Sequence, residues 1–212
     1  MRRYVTTASI AFAGGFLIMV LEIIGARLLA TSFGGAFYVW VSQIGVIMLA
    51  LAIGYYVGGR LADRFASPSL IGYLLLLAGC FTALIPNFAT SLANMIVDRH
   101  PIGKDIPLIW QKLDPAFGSA MIFLLPCIVL GMVCPYMIRL ATSRISEVGK
   151  VSGLIYAAST IGSIVGVFVS GYVLIDRMPI SRIFRLAGIM TMILGLMCIL
   201  GGHLRHTLED NT

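Results

Sequence analysis

Apolar positions fall into six long runs, at residues 7–30, 37–57, 68–86, 115–139, 151–175 and 183–202, and polar positions fill the gaps between them. A bilayer core about 30 Å thick needs roughly 20 apolar residues per helix, so each run predicts a membrane span. Ser32-Phe33-Gly34-Gly35 is a short glycine turn, so the second span returns antiparallel to the first, with Tyr38 and Trp40 where aromatic rings favour the interface. Ser67-Pro68 reads as a helix start, serine as cap and proline at the first helical position, and Asp114-Pro115 repeats it. Pro126 and Pro135 predict kinks in the fourth span. Residues 87–97 are too short to span, and 98–114, the most polar stretch, predicts a loop with an interfacial helix. The pattern gives an all-α six-helix membrane bundle, one transmembrane domain over 1–204, with a tail at 205–212 too short to fold.

Composition agrees: 59% of the 212 residues are hydrophobic and 11% charged, against roughly a quarter charged in soluble domains. The net charge of +6 is spread over helix ends, which argues against nucleic acid and makes the arginines topology signals. Arg2, Arg3, Arg60, Arg64, Arg139, Arg144, Lys150 and Arg205 fall on the N-terminal side. Arg99, Lys104, Lys112, Arg177, Arg182 and Arg185 fall on the other, with Arg27 inside the end of the first span. This small excess predicts a multi-pass protein of the cell inner (plasma) membrane with both termini cytoplasmic, although Arg177, Arg182 and Arg185 sit awkwardly on the outer side. Met1-Arg2-Arg3 before an apolar run resembles a signal peptide, but the run exceeds 20 residues and contains Glu22 and Arg27, which predicts a retained helix. Cys80, Cys127, Cys134 and Cys198 lack close CxxC spacing and read as small buried hydrophobes.

Glu22 is the one carboxylate well inside an apolar run, and an ionisable group there is a functional candidate by default. Either it holds a cation or relays a proton, tuned by Arg27 or Gln43, or it is a structural group, neutral or paired to an arginine on another helix. Glu22 and Arg27 lie about 140° apart around a helix, poorly placed to pair with each other. Gly162, Gly166 and Ser170 form a small-residue face on the fifth span, and Gly54 and Gly58 on the second, for close packing within the chain or between copies. His100, His203 and His206 lie at or beyond span ends, so haem ligation is not expected; there is no P-loop and no HExxH.

Glu22-Ile23-Ile24-Gly25-Ala26-Arg27-Leu28-Leu29-Ala30, then Phe33-Gly34, Tyr38-Val39-Trp40 and Ile44-Gly45-Val46, are followed in order by Gly58-Gly59-Arg60-Leu61-Ala62-Asp63-Arg64, Gly131-Met132-Val133-Cys134-Pro135 and Tyr156-Ala157-Ala158-Ser159. This series resembles the N-terminal membrane domain of spermidine synthase-like proteins, a major-facilitator-like region fused to an aminopropyltransferase. The loop Gly59, Asp63, Arg64 also resembles the major facilitator motif between helices 2 and 3, with Ala66 in place of a glycine and no basic pair after it. The resemblance implies a major-facilitator-like half, a polyamine as related ligand class, and polar contacts from Asp63 to a helix-end arginine; parity of spans puts Arg139 on its side, and Arg60 or Arg64 of the same loop is the alternative partner. The fused relatives' soluble catalytic domain has no counterpart in this sequence, so no enzyme activity and no cofactor are expected. The expected roles are a transporter-like half working with a second copy or partner, an accessory scaffold of a larger membrane complex, or an anchor for a separately encoded aminopropyltransferase-like enzyme.

Overall fold

The computed structural model describes residues 2–35, 37–101, 106–142 and 144–209, and the side chains of all of these except 2 and 203–209. Met1, Lys104 and Thr212, and the side chains of Arg205, His203 and His206, lie outside the described residues. The elements are α1 (Arg2–Phe33), α2 (Phe37–Arg64), α3 (Pro68–Val97), α4 (Leu108–Ala141), a 3₁₀ turn (Ile145–Glu147), α5 (Val148–Val169) and α6 (Ile180–Glu209). α5 continues through a π-helical turn (Ser170–Leu174) into one more α-helical turn (Ile175–Arg177). Among the described residues, six helices are long and apolar enough to cross a membrane.

The helices outrun the apolar runs at their ends. Residues 87–97 do not form a separate interfacial helix but continue α3 through Pro86, and α4 starts at Leu108, so Asp114 lies inside the helix rather than capping it. A proline interior to a helix removes one hydrogen bond, and in a packed bundle neighbours hold the axis together across that gap. Ser67 does occupy the cap position of α3 with Pro68 next to it, but its hydroxyl makes no capping bond. α6 runs on to Glu209, beyond the expected end at 202 and into the tail. Cys127, Cys134 and Cys198 are buried, whereas Cys80 is exposed.

Three close pairings organise the bundle: α2 with α4, α1 with α5, and α3 with α6, while α1 and α4 meet at the centre. In each the small residues are where the backbones touch. A Cβ on Gly54 or Gly58 would run into Ile128 or Met132 of α4, and one on Gly162 or Gly166 would run into the backbone of Phe12 or Phe16 of α1. The small-residue faces of α2 and α5 are therefore used within the chain. Between α3 and α6 the fit is reciprocal: Gly72 meets Gly195 and Gly79 meets Gly188, each pair presenting a carbonyl to the other's missing side chain. In lipid, where packing drives association, glycine gives this close approach.

These contacts repeat. One displacement along the chain carries Phe12, Gly15 and Phe16 of α1 to Ile128, Gly131 and Met132 of α4, and the same displacement carries Gly72 and Gly79 to Gly188 and Gly195. A second carries Leu51, Gly54 and Gly58 of α2 to Ser159, Gly162 and Gly166 of α5. Each contact in one set then has its image in the other: Gly15 against Ser159 matches Gly131 against Leu51, and Gly162 against Phe12 matches Gly54 against Ile128. Exchanging α1–α3 with α4–α6 maps the main helix pairings onto themselves, α1 with α3 being the pair without an image of comparable extent. With three helices per unit, the second unit runs through the bundle upside down relative to the first.

Candidate functional site

The intramembrane candidates do not form one cluster. Gln43 of α2 is fully buried and takes a hydrogen bond from Ser119 Oγ of α4 at 2.6 Å, while its amide nitrogen donates to the Leu21 carbonyl of α1 at 3.4 Å. Gly25 admits it: a methyl there would overlap the Gln43 amide. The amide thus ties three helices at a depth where an unpaired polar group is expensive. Glu22 is half-buried and, among the described residues, has no hydrogen bond or ion pair, so neither Gln43 nor Arg27 is its partner. Arg27 is exposed and lines instead a recess of about 490 Å³ with Pro86, Thr90, Met178, Pro179 and Ser181.

At the end of the bundle that carries the start of α1, Arg139 Nε lies 3.2 Å from Asp63 Oδ1, joining α2 to α4 as the parity of the spans predicts. The arginines nearest Asp63 in sequence are occupied elsewhere: Arg60 stacks over Tyr56 at 4.7 Å and Arg64 over Phe65 at 5.2 Å. Asp63 is 79% exposed, so the pair contributes at most about 1 kcal/mol. It borders a recess of about 450 Å³ lined by Gly59, Pro135, Thr142, Arg144 and Val148. Beside it, Arg3 donates to the Leu140 carbonyl and Tyr4 OH to Glu147 at 3.2 Å, fastening the first turn of α1 to the turn between α4 and α5.

At the opposite end Asp114 is 3% exposed, and its charge is met by two groups from the end of α3. Arg99 bonds one carboxylate oxygen, and His100 Nε2 lies 2.7 Å from the other. Arg99 also stacks on Trp110 at 4.4 Å. The sequence presents Asp114 as a helix cap and His100 as a helix-end histidine, and neither spacing nor periodicity links them, because His100 lies just beyond the end of α3 while Asp114 lies inside α4. Ser119 was equally hidden, whereas the α3–α6 glycines carried a legible signal: Gly72 and Gly79 share their spacing with Gly188 and Gly195. Ser170 is buried in the π-turn, and its hydroxyl has no hydrogen-bond partner among the described residues.

No protein-family model, no curated protein and no solved structure matches this chain.

Proposed function

We propose that the chain is a non-catalytic, major-facilitator-like half of the inner membrane, with both termini cytoplasmic, that builds a transport path together with a second copy or a partner subunit. The observation that carries this reading is the repeat of helix contacts between α1–α3 and α4–α6, since inverted three-helix units are how each six-helix half of such transporters is built. Two further features support it. The spans of α5 and α2 bury the smallest share of their most apolar stretches within the chain, 17% and 33%, which leaves room for another half. Glu22, half-buried in α1, has no ion pair among the described residues, unlike the paired carboxylate that an accessory scaffold would hold there.

The related ligand class implied by the resemblance is a polyamine, a cation for which an intramembrane carboxylate is a fitting counter-charge. The test is uptake of radiolabelled spermidine into proteoliposomes containing the protein and whatever subunits co-purify with it in mild detergent. The expected outcome is saturable uptake that Glu22→Gln abolishes without lowering thermal stability. Absence of uptake by the wild-type assembly overturns the transport reading. Co-purification of an aminopropyltransferase-like enzyme without uptake replaces it with the anchor role, and co-purification of a larger membrane complex replaces it with the scaffold role.

A further inference from the structure

Arg177, Arg182 and Arg185 crowd the turn between α5 and α6, against the overall bias of basic residues. Arg27 of α1 lines a recess of about 490 Å³ beside this turn, together with Thr90 and Ser181. Among the described residues Arg27 makes no hydrogen bond or ion pair. The one acid of the turn, Asp176, is exposed and pairs with none of these arginines. The remaining walls, Leu28, Pro86, Ile175, Met178, Pro179 and Ile180, are apolar.

The depth of the recess is set by its backbone. Met178 and Pro179 interrupt the helical hydrogen bonding between α5 and α6, and irregular backbone is not tolerated facing hydrocarbon, so this turn marks the headgroup level. Arg27 lies six residues before the end of α1, about 9 Å along its axis, within reach of that level by extending its side chain. A guanidinium with no protein partner, two hydroxyl donors and an excess of positive charge make a cavity suited to a tetrahedral oxyanion.

We propose that this recess binds a phosphate group, presented either by an anionic phospholipid headgroup or as free phosphate. The guanidinium of Arg27 donates to the phosphate oxygens, Thr90 and Ser181 complete the contacts, and Arg177, Arg182 and Arg185 supply the surrounding field. This assignment does not depend on the transport reading, because it requires neither a second half nor Glu22.

Native mass spectrometry of the protein released from nanodiscs of phosphatidylcholine and phosphatidylglycerol reads retention of the anionic lipid. Inorganic phosphate titrated into phosphatidylcholine nanodiscs, followed by thermal unfolding, reads binding of the free ion. The expected result is retention of phosphatidylglycerol by the wild type, weakened about tenfold by Arg27→Gln, the scale of one lost charge-assisted contact. Arg60→Gln, at the other end of the bundle, is expected to leave retention unchanged. Should Arg27→Gln fail to fold, Thr90→Val combined with Ser181→Ala reads the same recess and is expected to lower retention several-fold. Stabilisation by inorganic phosphate without lipid retention identifies the free ion as the ligand and upholds the site. Equal retention by wild type and by whichever variant folds, or no response to either probe, overturns it.

Discussion

Ser119 and Gln43 meet where no water can replace a lost partner, so the bond between them is more exposed to mutation than a surface contact of the same length. Ser119→Ala leaves the Gln43 carbonyl oxygen buried and unpaired, and is expected to destabilise the bundle by about 1 kcal/mol in reversible unfolding in mixed micelles. Ser119→Ala combined with Gln43→Leu removes both polar partners and is expected to cost less than the sum of the single changes; strict additivity would show that the two side chains do not interact. Gln43 stands out in the sequence as an amide inside an apolar run, but its partner does not. Which side chains of α4 face it depends on how that helix is rotated about its axis, and serine is common enough in spans to attract no notice. Asp63 and Arg139 were legible for the opposite reason: counting spans places both at one end, and a helix-end arginine has reach to spare.

At the scale of elements, the apolar runs locate six helices but shorten several of them, because hydropathy measures the stretch that can lie in hydrocarbon and not where helical hydrogen bonding stops. Pro86 and Pro115 read as boundaries, yet both lie inside helices that continue past them. What binds the elements together is the glycine contact. Gly79→Leu forces a side chain into the Gly188 carbonyl of α6 and is expected to lower stability by at least about 2 kcal/mol, or to prevent assembly. Gly166→Leu is expected to act in the same way against Phe16 of α1. Gly45→Leu, on an open face of α2 with nothing near its Cβ position, is the control, expected to change stability by less than about 0.5 kcal/mol in the same thermal unfolding assay. A Gly79→Leu protein as stable as the control would place the α3–α6 seam elsewhere.

For the molecule as a whole, the repeat matters more than any single contact, and it was difficult to see in the sequence because two different displacements superimpose its parts and few identities survive. Ile53, Gly54, Val57 and Gly58 reappear as Ile161, Gly162, Val165 and Gly166, yet without the contacts these are ordinary residues of an apolar helix. The repeat also bears on how the chain enters a membrane. A unit of three helices joined to an upside-down relative of itself is what duplication and fusion of an ancestor able to insert in either direction would leave. Such a chain inherits contradictory instructions for the insertion machinery. The described side chains carry them: Arg3, Arg60, Arg64, Arg139, Arg144 and Lys150 at one end stand against Arg27, Arg99, Lys112, Arg177, Arg182 and Arg185 at the other. Orientation should therefore be unusually easy to tip. In a background without native cysteines, single Arg64→Cys and Lys104→Cys reporters labelled with an impermeant maleimide are expected to react from opposite faces. Replacing Arg139, Arg144 and Lys150 by glutamine is expected to exchange those faces in part of the population. Labelling of both reporters from one face would break the six-span topology, and a distribution untouched by the three substitutions would mean that insertion is decided by something other than the balance of charge.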